Sequence, residues 1–167
     1  MPIAPGPGFW RGNGTALSCR RPKCPPAFRP PACLMEDCPE CILIVEDDVN
    51  IRRLVGKFLT RRGYSVREAV NGREGLAAMR AGDASLVVLD LMMPEVDGWE
   101  VLRTRFSDEH LRAIPVVVVS ANTGPDLKDV LDKGICALLP KPFDLDALGA
   151  VIKSCLSHPH GPLQVLS

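Results

Sequence analysis

Short aliphatic runs alternate with amphipathic, helix-length segments from Cys41 to about Leu156, and this alternation constrains the fold more than any other feature of the sequence. The first run is CILIV at 41–45. After it, apolar residues recur at the 3.6-residue period of one helix face, namely Ile51, Leu54, Val55, Phe58 and Leu59. The pattern returns four times. The later predicted strands are 64–69, 85–90, 114–119 and 135–139, and the later predicted helices carry Leu76 and Met79; Trp99, Leu102 and Phe106; Leu127, Val130 and Leu131; and Leu145, Leu148, Ile152 and Cys155.

Strands that alternate with helices are typical of a parallel sheet covered by helices on both faces. The first, third and fourth strands are nearly all aliphatic, which predicts central positions, whereas the more polar strand at 64–69 predicts an edge. We therefore predict an α/β fold, a doubly wound five-stranded parallel sheet of order 2-1-3-4-5, flavodoxin-like. In such sheets ligands bind beyond the carboxyl ends of strands one and three, where the strand order reverses.

The ends of the chain lack this pattern. Residues 1–40 are rich in Pro, Gly, Arg and Cys and show no hydrophobic period, so they cannot bury enough surface to offset the entropy of ordering. We predict a disordered N-terminal segment over 1–40, a folded domain over 41–156 and a disordered tail over 157–167. An alternative for the N-terminus is a mis-assigned start, with translation beginning at Met35.

Five of the seven cysteines fall at or before position 41, namely Cys19, Cys24, Cys33, Cys38 and Cys41. Four thiolates could hold zinc, but the spacings match no familiar zinc module and Cys41 begins a strand, so zinc stays an open alternative. Cys136 and Cys155 fall at apolar positions and are predicted to be small core residues. Disulfides are not expected, because they are rare in the cytosol.

The net charge and the hydropathy of the chain limit the kinds of molecule that it is expected to bind. The 20 basic and 20 acidic residues cancel, so no overall charge attracts nucleic acid or an anionic membrane. No apolar run approaches the roughly 20 residues of a membrane-spanning helix. We predict a cytoplasmic protein with no membrane insertion and no direct nucleic-acid binding.

Acidic residues end the two strands at the predicted switch point. Glu46, Asp47 and Asp48 follow the first strand, and Asp90 ends the third. Taken singly, Asp48 could be a helix N-cap and Asp90 the start of a turn. Taken together, carboxylates at one sheet edge repel one another and require a cation. Mg²⁺ suits such a site because it prefers carboxylate and water oxygens.

Two other strand ends provide groups that bind phosphate. Ser120 and Ala121 end the fourth strand, and Lys141 with Pro142 follows the fifth. The Lys141–Pro142 bond is a candidate cis peptide, since X-Pro bonds can adopt that form. Acids, a hydroxyl and an ammonium on one edge are what phosphoryl transfer to a carboxylate needs.

Four motifs in this order resemble the receiver domain of bacterial two-component response regulators: LIVEDD at 43–48, LVVLDLMMPEVDGWE at 86–100, VVVVSA at 116–121 and LPKPF at 139–143. The resemblance implies that Asp90 is the phosphoacceptor. It implies that Asp47 and Asp48, directly or through water, hold Mg²⁺ together with Asp90 and the backbone carbonyl of Met92. Ser120, Ala121 and Lys141 take the switch and phosphate-binding positions. The implied phosphodonor is a sensor histidine kinase or a histidine phosphotransfer protein.

The sequence departs from the family pattern at the positions that tune switching and dephosphorylation. Leu138 stands where many members have an aromatic residue that reports the state of the switch hydroxyl. Met92 and Asn122 occupy positions that tune attack of water on the acyl phosphate. Because Met92 is apolar, we expect it to hinder water and to prolong the life of the phosphoryl group.

The resemblance implies a phosphoacceptor signalling protein, and not an enzyme beyond self-phosphorylation and slow autodephosphorylation. We expect a stand-alone receiver that switches a face made by its fourth helix, fifth strand and fifth helix toward an unknown output protein. One alternative is a receiver-fold interaction module that is never phosphorylated. Another is a magnesium-dependent phosphohydrolase, although such enzymes usually carry a second Asp two residues after the nucleophile, where this chain has Met92.

Overall fold

The predicted parallel sheet is present in the computed structural model, which describes residues 40–82, 84–94, 97–121, 134–158 and 164–165. Its strands are β1 (Cys41–Val45), β2 (Ser65–Ala69), β3 (Leu86–Asp90), β4 (Val116–Ser120), β5 (Ala137–Pro140) and β6 (Gln164–Val165). The strands lie in the order β2-β1-β3-β4-β5-β6, and every neighbouring pair is parallel. The predicted order 2-1-3-4-5 is confirmed.

The sixth strand is a correction to the sequence analysis. β6 pairs with β5 through Ala137 with Gln164 and Leu138 with Val165, inside the tail that was predicted to be disordered. The prediction of disorder was wrong at these two residues. A strand of two residues is too short to show an alternating pattern, and its backbone pairing with β5 does not depend on one.

Five helices are described, and their bounds are α1 (Val49–Arg61), α2 (Gly72–Arg80), α3 (Gly98–Ser107), α4 (Glu109–Arg112) and α5 (Leu145–Ser157). All five begin after an Asp or Asn whose side chain accepts hydrogen bonds from amides of the first turn, which compensates for the missing backbone partners there. α4 was not predicted, because a single turn carries no period. The predicted helix containing Leu127, Val130 and Leu131 lies outside the described residues. None of the described helices is long and apolar enough to span a membrane.

The aliphatic strands supply two cores, one on each face of the sheet. Along β1, Leu43 and Val45 pack into one cluster with α2 and α3, and Ile42 and Ile44 pack into the other with α1 and α5. This alternation explains why the central strands are apolar at every position. Two predicted helix-face residues are instead largely exposed, Leu54 at 56% and Phe106 at 43%. The guanidinium of Arg112 stacks over the Phe106 ring, which covers part of it.

Cys136 and Cys155 are buried as predicted, but they form a disulfide. The expectation that the chain has no disulfide is therefore wrong for this pair. Cys136 directly precedes β5, and Cys155 lies in the last turns of α5, which packs on the same core. The two Cα atoms are 6.0 Å apart, within the range that a disulfide spans. Because both cysteines stand at apolar positions of the sequence pattern, their burial could be predicted. The short distance between them could not.

Candidate functional site

Three carboxylates meet at the edge of the sheet where β1 and β3 end. Oxygen atoms of Glu46, Asp47 and Asp90 all lie within 4.8 Å of one another. Val45 is level with Leu89 in the β1–β3 pair, so the next residue of each chain segment, Glu46 and Asp90, arrives at the same height. Glu46 and Asp90 are buried, whereas Asp47 is exposed. The predicted convergence of acids at the switch point is thus observed.

Asp48 does not join this cluster. Its Oδ1 atom accepts hydrogen bonds from the amides of Asn50 at 2.7 Å and Ile51 at 3.1 Å, so it is the N-cap of α1. These amide bonds lower the pKa of Asp48 because they favour the charged carboxylate. Glu46, and not Asp48, lies with Asp47 and Asp90, so this arrangement shows Asp48 as a helix cap and does not by itself support the metal-ligand role that the family resemblance implied for it. Glu46 stands in the same acidic run, and its position directly after β1 is the signal that could have identified it.

Lys141, the first residue after β5, contacts two acids of this cluster. Its Nζ atom lies 2.8 Å from Glu46 Oε2 and 2.7 Å from Asp90 Oδ2, forming two ion pairs with buried carboxylates. The Lys141 amide donates to the Ser120 carbonyl at 2.8 Å, which fixes the end of β5 against the end of β4. The Lys141–Pro142 peptide is cis, so the candidate cis bond is confirmed.

The pKa values of Glu46 and Lys141 depend on each other, because the two side chains are hydrogen-bonded. Burial raises the pKa of Glu46 and the nearby Asp90 charge adds to the rise, while the hydrogen bond from Lys141 acts against both. Burial alone would lower the pKa of Lys141, but its hydrogen bonds to Asp90 and Glu46 outweigh that effect and raise it. The lysine therefore stays protonated and supplies the positive charge that the acids require.

The segment after Asp90 holds that carboxylate from the backbone. Met92 donates its amide to Asp90 Oδ1 at 2.9 Å, while its side chain is 57% exposed and Leu91 is buried. Gly98, at the start of α3, donates its amide to the Leu91 carbonyl at 3.2 Å. A Cβ atom on Gly98 would lie 2.2 Å from the Asp90 carbonyl oxygen, so only glycine permits α3 to start this close to β3.

The remaining predicted site residues are distributed as follows. Ser120 is buried at the end of β4, and Ala121 follows it at the surface. Leu138 is buried in the core on the same sheet face as Val118. At the position where many family members have an aromatic residue, this chain therefore has a buried leucine that packs in the core. Asn122 lies outside the described residues. The predicted tuning roles of Met92 and Asn122 stay predictions.

Sequence reasoning missed one further residue at this edge, Arg52 of α1. Its guanidinium is buried and donates to the carbonyl oxygens of Glu46 and Asp47. It follows Ile51 in the helix and is absent from the apolar pattern of α1, and arginine is rarely buried without a partner. Nothing in the local sequence reveals that its partners are two backbone carbonyls.

The donor set fits a hard divalent cation. The carboxylates of Glu46, Asp47 and Asp90 each offer an oxygen atom within 4.8 Å of the others, and oxygen ligands with room for water are what Mg²⁺ selects. Lys141 already neutralises part of their charge, so a cation would enter in competition with the ammonium.

A doubly wound parallel sheet with carboxylates at the ends of β1 and β3 and a lysine after β5 defines a class of α/β protein with an acidic site at its switch point. The chain belongs to the response regulator receiver domain family, whose family model matches residues 42–153. It is therefore a receiver domain of two-component signalling.

Curated relatives are longer than this chain. The transcriptional regulatory protein YkoG of Bacillus subtilis is 42% identical over 117 residues, which are 69% of this chain and 50% of that protein. The DNA-binding regulator RpaA of a Synechocystis strain is 37% identical over 116 residues, 69% of this chain and 48% of that protein. The chain thus spans about half the length of the curated relatives it matches.

Solved structures agree with the fold. The chemotaxis protein CheY4 of Vibrio cholerae has a TM-score of 0.65 at 26% identity, covering 70% of this chain and 98% of that one. The signal receiver domain of a histidine kinase from Syntrophus aciditrophicus has a TM-score of 0.66 at 30% identity, covering 71% of this chain and 90% of that one.

Proposed function

We propose that this receiver domain accepts a phosphoryl group on Asp90 from the phosphohistidine of a sensor histidine kinase or a histidine phosphotransfer protein. The observation that carries the proposal is the position of Asp90: a buried carboxylate at the end of β3, within 4.8 Å of two further acids and bonded to Lys141. This gathers a nucleophile, a cation site and a fixed positive charge, which together serve phosphoryl transfer.

In the proposed reaction a carboxylate oxygen of Asp90 attacks phosphorus in line with the P–N bond of the donor. The new O–P bond forms as the P–N bond breaks, and the imidazole leaves with the electron pair and takes up a proton from water. The Met92 amide holds Asp90 Oδ1 at 2.9 Å, so the carboxylate is oriented before the donor arrives.

Glu46, Asp47 and Asp90, with the Met92 carbonyl, are the residues that would hold Mg²⁺. When bound, the ion neutralises charge on the phosphoryl oxygens and orients them. Lys141 then has to leave part of its contact with the acids and follow the phosphoryl oxygens, and Ser120 offers its hydroxyl from the end of β4. Movement of these two residues would change the face near β5 and α5.

The output is proposed to be a protein partner that reads this face. The curated relatives are named as transcriptional regulators, and the matched segment is about half of each of them, so regulation of transcription through further protein segments is a second form of output. We retain the proposals that the described domain itself contacts no nucleic acid, works in the bacterial cytoplasm and is not an enzyme in the ordinary sense.

The proposal is tested by incubating the protein with acetyl phosphate and measuring intact mass. We expect one phosphoryl adduct with Mg²⁺, none with excess chelator, and none in Asp90→Asn. Asp97→Asn is the matched control, since Asp97 caps α3 and Asn caps as well as Asp, so it should gain the adduct. Absence of an adduct on the wild-type protein would reject phosphorylation and favour the unphosphorylated interaction module.

A further inference from the structure

The guanidinium of Arg52 is placed to hold the two acids of the β1–α1 turn from behind. Its Nη1 atom donates to the Glu46 carbonyl at 2.7 Å and to the Asp47 carbonyl at 3.1 Å. These are the backbone oxygens of two consecutive residues whose side chains form the acid cluster with Asp90. We propose that Arg52 is a positioning residue for the cation site, acting through the backbone of Glu46 and Asp47; this rests on the proposed function.

Arg52 is itself held by the edge strand. Its Nε atom donates to Glu68 Oε2 on β2 at 3.2 Å, and the Arg52 side chain is 10% exposed against 44% for Glu68. The planar guanidinium can bond a carboxylate on one edge and two carbonyls on the other, which a lysine ammonium on a flexible stem does not reproduce. Glu68 therefore fixes the plane in which Arg52 meets the turn.

A glycine in α1 makes room for this arrangement. A Cβ atom on Gly56 would lie 3.2 Å from Glu68 Oε1, closer than ordinary van der Waals contact. The space that Gly56 leaves lets the Glu68 carboxylate lie against α1, where it reaches Arg52. α1, β2 and the turn after β1 thus form one connected unit of helix, strand and site.

Two further hydrogen-bonded contacts hold the turn between β1 and α1. Glu46 donates its amide to the Ala69 carbonyl of β2 at 3.2 Å, and Asp48 caps α1. Between these two contacts, Arg52 donates hydrogen bonds to the carbonyl oxygens of Glu46 and Asp47. Without it, two buried or half-buried carbonyl oxygens lose their donor, and the turn can relax so that the carboxylates of Glu46 and Asp47 no longer point together at Asp90.

The experiment separates positioning from a general effect on folding. Mg²⁺ binding is measured by calorimetry, and phosphorylation by acetyl phosphate is followed as a function of Mg²⁺, for the wild type, Arg52→Met, Glu68→Ala and the control Arg53→Met, which removes the same charge from an exposed neighbour. Loss of a residue that orients metal ligands weakens metal binding about 10- to 100-fold. We expect Arg52→Met to raise the half-saturating Mg²⁺ at least about tenfold, with the limiting rate restored at saturating Mg²⁺. Glu68→Ala should also raise the half-saturating Mg²⁺, but by a smaller factor. Arg53→Met should have the half-saturating Mg²⁺ of the wild type.

Each other result overturns the inference. Equal half-saturating Mg²⁺ in Arg52→Met and Arg53→Met would show that Arg52 does not position the site. A fall in limiting rate with unchanged half-saturation would give Arg52 another role. If Arg52→Met fails to fold, as judged by circular dichroism, Glu68→Ala decides, and an unchanged Mg²⁺ dependence in that variant rejects the proposal. A wild-type protein without any Mg²⁺ response overturns the proposed function together with this inference, which distinguishes it from the other outcomes.

Discussion

Lys141 Nζ lies 2.7 Å from Asp90 Oδ2 while it also contacts Glu46 Oε2 at 2.8 Å. The lysine after β5 is therefore the counter-ion of the acids after β1 and β3. This relationship joins the three strand ends into one site. It also sets a competition, because a divalent cation and the ammonium of Lys141 bind the same two carboxylates.

Replacing Lys141 should separate cation binding from phosphoryl transfer. In Lys141→Met the competing ammonium is gone, so we expect Mg²⁺ to bind more tightly than in the wild type, as measured by calorimetry. The rate of phosphorylation by acetyl phosphate should fall by at least about tenfold, since each 1.36 kcal/mol of lost transition-state stabilisation is tenfold in rate. Lys153→Met, which removes an exposed lysine of α5, should change neither quantity. Weaker Mg²⁺ binding in Lys141→Met would contradict the competition.

Substitutions at the three consecutive acids should separate ligands from cap. Glu46→Gln and Asp47→Asn are expected to weaken Mg²⁺ binding, measured by calorimetry, because each removes a charged oxygen ligand. Asp48→Asn should leave Mg²⁺ binding unchanged, since Asn retains the N-cap. If Asp48→Asn abolished binding, the assignment of Asp48 to capping would be wrong.

The cap itself should show in stability. Asp48→Ala should lower the melting temperature at neutral pH because α1 loses its N-cap. The pKa of Asp48 is lowered in the folded protein, so its charge stabilises the fold fully above the ordinary pKa of Asp and less as the pH falls through the lowered value. The difference between wild type and Asp48→Ala should therefore shrink in acid, which thermal melts across pH can follow. A difference that grows in acid would contradict the cap.

Gly98 should tolerate no side chain. In Gly98→Ala the new methyl meets the backbone of Asp90 and Leu91 at 2.2 and 2.6 Å, so α3 or the end of β3 has to move. Overpacking of this kind costs about 1–3 kcal/mol, and we expect both a lower free energy of urea unfolding and slower phosphorylation. Gly75→Ala is the comparison, because the three atoms nearest to its methyl are all side-chain atoms of Val45, the nearest at 2.9 Å. It should lose stability while phosphorylation persists. Equal phosphorylation in Gly98→Ala and wild type would exclude a close approach of α3 to Asp90.

The Cys136–Cys155 bond predicts a reductant-dependent stability. In protein purified in air without thiol, these two cysteines should resist alkylation under denaturing conditions until they are reduced. Closing a loop of this length, with a sequence separation of 19, stabilises by about 3 kcal/mol, so reduction should lower the free energy of unfolding by a similar amount. Cys136→Ser/Cys155→Ser should not respond to reductant. Alkylation of both cysteines before reduction would show that the bond is absent.

The fold could be predicted from the sequence because its information is local and repeated. The aliphatic strands and the spacing of apolar residues in α1 or α5 follow from burial on one or two faces, and the order of the sheet follows from which strands are polar. β6 and α4 could not be predicted, since elements of two and four residues carry no period. The disulfide was missed because proximity of Cys136 and Cys155 exists only after β5 and α5 pack.

The sequence predicted which strand ends form the site, but not every residue that lies there. Asp90, Asp47 and Lys141 meet where the topology places them, because parallel strands end at one edge. The choice between Glu46 and Asp48 could not be made from an acidic run alone, since it depends on where β1 stops and α1 begins. Arg52 was missed for a different reason: its partners are backbone carbonyls, and no side-chain pattern identifies them.

Whether Asp90 carries the phosphoryl group is decided by locating the modified residue. Borohydride reduces an aspartyl phosphate to homoserine, so protein treated with acetyl phosphate and Mg²⁺ is reduced, digested and sequenced by tandem mass spectrometry. We expect homoserine at position 90, and none at 47 or 97. Homoserine at another aspartate, with position 90 intact, would contradict it.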